Sequence, residues 1–364
     1  MDNELIYQIG VTLIDKIGNI NGKKLIAYCG GAEAVFKESK KNLQKIPGIG
    51  KALVDNILSA QTLDRAEEEI KFIEKNNIQT FYYLDPNYPK RLYQCDDSPL
   101  ILYYKGNANL NAKRVVAVVG TRHMTEYGAS LCEKLVTDLA SDDILIVSGL
   151  AYGVDSIAHS TAVKNRIPTV ACLGHGLQMI YPPDNRDLAK RMLNNGGLLS
   201  EFISGTKPDY MHFPQRNRII AGLADCVVVV ESAMKGGAII TATIANSYSR
   251  DVFAFPGRTT DIYSQGCNYL IRTHQADIVE SAKDINYLMR WDNTSKKEIQ
   301  TQIFREFSDD EQKIMDAFGN ETTVTVDYLI NATDMNAAKL ASLLLNLEFD
   351  GVLTALPGKR YHKN

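Results

Sequence analysis

An α/β fold built on a doubly wound parallel sheet is what this 364-residue sequence predicts, and three observations predict it. Six short runs are apolar without alternation, as strands covered on both faces must be: "VVAVVG" (115–120), "ILIVSG" (144–149), "TVACLG" (169–174), "GLLSEF" (197–202), "CVVVVE" (226–231) and "DVFAFPG" (251–257). The stretches between them are amphipathic and long enough for crossover helices. Glycine closes several of the runs, where a chain leaving a strand end has to turn.

Taken in order, residues 1–78 carry helical patterning interrupted by "KIGNING" (16–22) and "KIPGIGKALVDNI" (45–57). The second stretch has the form of a helix-hairpin-helix turn, in which glycines tighten the backbone and amides at the next helix start point outward. The first looks like a degenerate copy, so a small helical, SAM-like domain is expected. Such a hairpin can hold a DNA phosphate with Lys51 assisting, or serve only as a compact module. Residues 79–291 form the Rossmann-like sheet domain, to which "PLILYYKG" (99–106) adds a further strand or an edge extension. Residues 292–307 are polar, break the alternation and read as a linker. From 308 to 364, three helical stretches and a basic hairpin-like end suggest a winged helix. Its third helix, "NAAKLASLLLNLEFDG", offers Lys339 but is otherwise leucine-rich and acidic at its end, which suits packing or protein contact better than reading base edges.

Composition narrows the function. With 45% hydrophobic and 23% charged residues the chain has the make-up of a globular protein. Its formal net charge is -3, so a site for a polyanion has to be a local patch rather than a global field. The six cysteines lie far apart without a CxxC pair, as buried reduced thiols do. The start, "MDNELIYQIG", is acidic where a signal peptide is basic, and no apolar stretch has the length of a membrane span. The expected compartment is the cytoplasm.

Ligands of an open parallel sheet bind beyond the carboxyl ends of its strands. Four loops fall there. "VGTR" (119–122) places Gly120, Thr121 and Arg122 after one strand, and "SGLAYGVD" (148–155) places Ser148, Gly149 and Gly153 after the next. "LGHGLQMIYPPDNRDL" (173–188) supplies Gly174 and Arg186, and "KGGAIITA" (235–242) opens a helix with Gly236, Gly237 and Thr241. Small residues let a phosphate approach amides, and Ser148 or Thr241 would add hydroxyls. Arg122, Arg186, Arg216 and Arg218 supply neutralising charge. Arg216 and Arg218 sit two apart in "FPQRNRIIAGL" (213–223), at a helix start, and cannot point the same way. One lines the crevice and the other braces neighbouring loops. With Phe213 and Asn217 these residues describe a crevice for a polyanion.

Other readings fail on detail. "GHGLQM" has Met179 where a dinucleotide fingerprint needs its third small residue, and no GxxxxGK[ST] loop exists. Asp155 and His159 lie one helical turn apart near Ser148, but no GxSxG elbow accompanies them. They read as a helix-start carboxylate and its hydrogen-bonding neighbour. A lone D-x-x-x-H lacks a third metal ligand. No catalytic residue, metal or cofactor is expected.

The motifs "VGTR", "SGLAYGVDSIAH", G-x-G followed by YP-x-x-N, "SEFISGTKP", "FPQRNRIIAGL", "GGAIITA", "FAFPG" and "SQGCNYLI" occur in the order and spacing of the DNA-processing protein A (DprA/Smf) family, which the whole chain resembles. The resemblance implies a non-enzymatic protein that binds single-stranded DNA taken up in natural transformation, protects it and loads the RecA recombinase, in company with single-strand binding protein. It also implies a homodimer formed through the sheet domain. Arg122 matches a principal DNA contact of such proteins, and "FPQRNR" borders the same pocket. Where relatives carry lysine after Tyr-Pro this chain has Pro183, with Arg186 as a substitute, and Lys235–Ala238 replaces a serine-bearing segment. The competing reading is a hydrolase acting on nucleoside phosphates, whose relatives carry PGGxGTxxE; "KGGAIITAT" lacks that glutamate.

Overall fold

The computed structural model describes residues 3–140, 143–291, 307–319, 321–356 and 359–363. It divides into two compact units, Met1–Trp291 and Asp292–Asn364. Apart from Phe307, the expected linker lies outside the described residues.

The first unit opens with helices Asn3–Thr12, Asn19–Cys29, Ala32–Lys37, Lys40–Leu43, Lys51–Leu58 and Leu63–Lys75. Gly48 turns the second hairpin at φ +84, a conformation that favours glycine. These helices do not close a core of their own. Leu25, Val54 and Ala66 join the same buried cluster as Leu102, Tyr103 and Val147 of the sheet, so helices and sheet fold over one apolar interior.

Among the described residues, nine strands form the sheet: β1 (Gln79–Tyr82), β2 (Ile101–Gly106), β3 (Arg114–Val119), β4 (Ile144–Ser148), β5 (Thr169–Leu173), β6 (Gly196–Ser200), β7 (Cys226–Val229), β8 (Asp251–Ala254) and β9 (Asp277–Ile278). Their order is β1-β2-β6-β5-β4-β3-β7-β8-β9. β2 is antiparallel to both β1 and β6, and the strands from β6 to β9 run parallel. All six apolar runs are strands, and "PLILYYKG" supplies an antiparallel extension. Alternate side chains explain the unbroken apolar pattern. Val115, Ala117 and Val119 enter the core on one face while Val116 and Val118 enter a second core on the other. From β3 the chain winds outward through β4, β5 and β6, then returns to β7 on the other flank of β3. That reversal makes the β3–β7 boundary the switch point, where the loops part to leave a crevice.

The second unit has helices Asp309–Phe318, Val326–Thr333 and Ala337–Phe349 and a small antiparallel sheet of Thr323–Thr325, Leu353–Leu356 and Arg360–Lys363. Ile314, Phe318, Leu329, Leu340, Leu344 and Leu347 form its own core. This is the winged helix, with one short strand, Thr323–Thr325, beyond the expected hairpin.

Candidate nucleic-acid interface

The rim of the crevice is built by a stapled turn. After β3, Thr121 donates its amide to the Glu231 carbonyl (2.7 Å) and accepts the Val154 amide on its own carbonyl (3.2 Å). Gly153 adopts φ +76, and a Cβ there would lie 2.2 Å from the Thr121 oxygen, so only glycine lets the two loops meet. The staple leaves Arg122 exposed. Its guanidinium lies over the Phe213 ring, 5.4 Å from the centroid, and Phe213 stacks on Tyr181 at 6.1 Å. A cation held on an aromatic face keeps its charge while losing freedom to wander. Arg186 is also exposed, at the first turn of helix Arg186–Met192. Asn185, just before it, is tied to the Leu150 carbonyl (2.8 Å), and Tyr152 bonds Asp184 (2.7 Å), which joins this loop to the one after β4.

Below the rim the same residue types do different work. Arg216 is 4% exposed and donates from Nη1 to the Cys172 carbonyl (2.7 Å). The guanidinium lies directly against Gly149, where a Cβ would fall 1.7 Å from Nη1. Asp155 accepts the amides of Gly149 (3.1 Å) and Ala151 (3.3 Å). Burial raises the Asp155 pKa, and the positive charge of Arg216 is the strongest influence against that rise. Burial likewise lowers that of Arg216, with Asp155 opposing the change and Arg122 adding to it. His159 is fully buried, its Nδ1 2.7 Å from Thr169 Oγ1, and burial brings its pKa to about 3. It is therefore a neutral core residue bonded to Thr169, not the hydrogen-bonding neighbour of Asp155 that the sequence suggested.

Several expected contacts are corrected by burial. Ser148 is fully buried and donates to the Val118 carbonyl (2.6 Å), and Thr241 is 2% exposed and donates to Gly237 (3.2 Å). Neither hydroxyl faces the crevice mouth. The amides of Gly149, Gly176 and Gly236 are also turned inward, to Asp155, Thr206 and Ala233. Arg218, instead of reaching the crevice, pairs with Glu201 and the Asp97 carbonyl, so both arginines of the motif are scaffold. Gly174 is buried against Phe213, while Gly120 and Thr121 are half-buried. Asn217 makes a long contact from Nδ2 to the Gly237 carbonyl (3.5 Å), and Gly237 is exposed at the start of helix Gly237–Ser247, which has no side-chain cap. Helix ends of that kind leave amides to solvent or to an anion.

One structural residue escaped the sequence reading. Glu231, 4% exposed at the switch point, accepts the amide (2.9 Å) and hydroxyl (2.5 Å) of Thr125 and so anchors helix Glu126–Asp138. Its signal was an acid closing the apolar run "CVVVVE". Among the described residues no group of three or more acidic, histidine or cysteine side chains is placed to hold a metal ion.

Residues 79–290 match the family described as DNA recombination-mediator protein A, and residues 303–359 match the DprA winged helix domain. Protein Smf of Synechocystis sp. is 30% identical over 399 residues, spanning 100% of this chain and 99% of its own. The crystal structure of DNA processing protein A from Streptococcus pneumoniae superposes with a TM-score of 0.67 at 34% identity, covering 78% of this chain and 97% of that one. DNA processing protein A from Helicobacter pylori, described for its single-stranded DNA binding mode, gives a TM-score of 0.54 at 30% identity over 59% of this chain and 96% of that one. Fold, ordered motifs and both sequence matches agree, and the chain belongs to the DprA/Smf family of DNA recombination-mediator proteins.

Proposed function

We propose that this protein binds single-stranded DNA by its sugar-phosphate chain at the rim of the β3–β7 crevice. The observation that carries this reading is Arg122, an exposed guanidinium fixed on Phe213 beside Tyr181. A flexible strand can lay a phosphate on the cation and a base on a neighbouring ring, the pairing that sequence-tolerant single-strand binding uses. Arg186 and the open helix start at Gly237 extend the positive track. On this reading single-stranded DNA binds more tightly than duplex, whose bases are stacked away from the aromatic rings. The reading also takes from the family a cytoplasmic homodimer without catalytic activity, which protects incoming strands and loads RecA on them in natural transformation, alongside single-strand binding protein.

The test is a salt titration with single-stranded and duplex oligonucleotides of equal length, with and without RecA. Single-strand affinity should fall with salt at a slope of about -0.7 per neutralised phosphate. Arg122→Ala should lower both affinity and slope. Parent-like binding by that variant at every salt concentration places the interface elsewhere.

A further inference from the structure

The turn after β3 carries two exposed side chains in succession, Arg122 and His123. Arg122 lies over Phe213, whose ring neighbours Tyr181 in the loop after β5. The His123 ring stacks instead on Tyr263 in the loop after β8, with centroids 6.4 Å apart and planes 27° from parallel. That separation is within the range of aromatic pairs in contact. His123 is exposed and Tyr263 half-buried, so the pair is reachable from solvent.

Backbone hydrogen bonds seat both pairs at the carboxyl edge of the sheet. The Thr121 amide donates to the Glu231 carbonyl after β7 (2.7 Å), and the amide of the following residue, Ser232, donates to the Tyr263 carbonyl (2.6 Å). The Ser232 carbonyl accepts the Gly266 amide (2.8 Å), which ties down the start of helix Gln265–Arg272. On the other flank Gly174, next after β5, packs so closely on Phe213 that a Cβ would lie 3.1 Å from the ring. The strand order β5-β4-β3-β7-β8 puts the two pairs on opposite sides of β3. The loops after β5 and β8 leave the sheet four strand spacings apart, about 19 Å. About six nucleotides cover that distance at a stacked rise of about 3.4 Å each.

A single strand laid across this edge has bases to place as well as phosphates. Arg122 can take a phosphate, but one cation leaves the bases on either side of it in water. Every base has a π face, and unpaired bases stack on the rings of Phe, Tyr, Trp and His with little regard to sequence. We propose that His123 and Tyr263 form a second base-stacking platform, across Arg122 from Phe213 and Tyr181, and that the strand crosses the rim from one platform to the other. The proposal rests on the single-strand reading above. It assigns the strand a path perpendicular to the β-strands and a footprint with aromatic contacts at both ends.

Tyr263→Ala removes a ring and keeps the backbone bonds that seat its loop. Binding is measured with a single strand of about 12 nucleotides, within the site sizes usual for such contacts, and with the same strand made abasic throughout. Tyr263→Ala should bind the base-bearing strand about tenfold more weakly than the parent, with an unchanged salt slope, and Tyr263→Phe should bind it as the parent does. On the abasic strand parent and Tyr263→Ala should bind alike, because nothing is left to stack, whereas a loss caused by a displaced Arg122 would persist. His123→Ala, altered at an exposed position, should show the same dependence on bases. Parent-like binding of the base-bearing strand by both alanine variants, or a loss that persists on the abasic strand, overturns the proposal. Arg122→Ala should weaken both strands; unchanged affinities in that variant would count against the single-strand reading instead.

Discussion

Arg122 and Arg216 present one functional group in two environments at the same crevice. Arg122 stands on a stapled turn, open to solvent and steadied by an aromatic face. Arg216 lies beneath Gly149, 4% exposed, hydrogen-bonded to Cys172 and facing the charge of Asp155. A guanidinium in water can trade hydration for a phosphate at little cost. One already buried and committed can do so only by breaking the structure that holds it. The rim cation therefore stays available to a ligand, while the floor cation is committed to shape.

Mutation can break that contrast. Arg216→Ala strips the floor of its cation and leaves Asp155 buried without it, which should cost about 3–5 kcal/mol in chemical denaturation. Arg122→Ala should stay within about 0.5 kcal/mol of the parent. Equal losses would erase the distinction between rim and floor. A smaller effect is expected of Gly149→Ala, whose methyl group meets the Arg216 guanidinium and should destabilise by about 1–3 kcal/mol. Gly237, with open space around its Cβ position, should accept alanine without loss, and a thermal-melt comparison of the two variants separates them.

Acid sharpens the contrast further. His159 titrates near 3 in the folded chain against an ordinary 6.5, so between those values the unfolded chain binds the extra proton. Its contribution is whole above pH 6.5 and is lost on acidification by at most about 1.4 kcal/mol per pH unit. Asp155, raised by burial, acts in the opposite sense, because its folded form takes up a proton first. The difference between parent and His159→Gln denaturation curves isolates the histidine. A difference that stays flat from pH 6.5 to about 5 would show that His159 is not a buried neutral group.

Much of this was legible in the residues. Unbroken apolar runs identified the strands because a covered parallel sheet tolerates no polar face, and the glycine turns marked the carboxyl edge. β1 and β9 went unread, since "QTFY" and "DI" are too short to show a period and gain their pairing only from neighbours. The helical segment looked separable because hairpin turns are local, whereas its apolar faces are satisfied by the sheet. At the site, spacing established that Arg216 and Arg218 diverge. It carried no information on which surroundings each would meet, nor that Ser148 and Thr241 would spend their hydroxyls on carbonyls.

Local chemistry along the chain thus determined the six covered strands, the turns, the winged-helix tail and the arginine-bearing motifs, because periodicity and glycine placement act over a few residues. Only the tertiary structure decided which guanidinium remained in water, which amides were consumed internally and which rings came to flank Arg122. Burial and partner choice depend on segments that meet from distant parts of the chain, and no stretch of sequence contains that meeting.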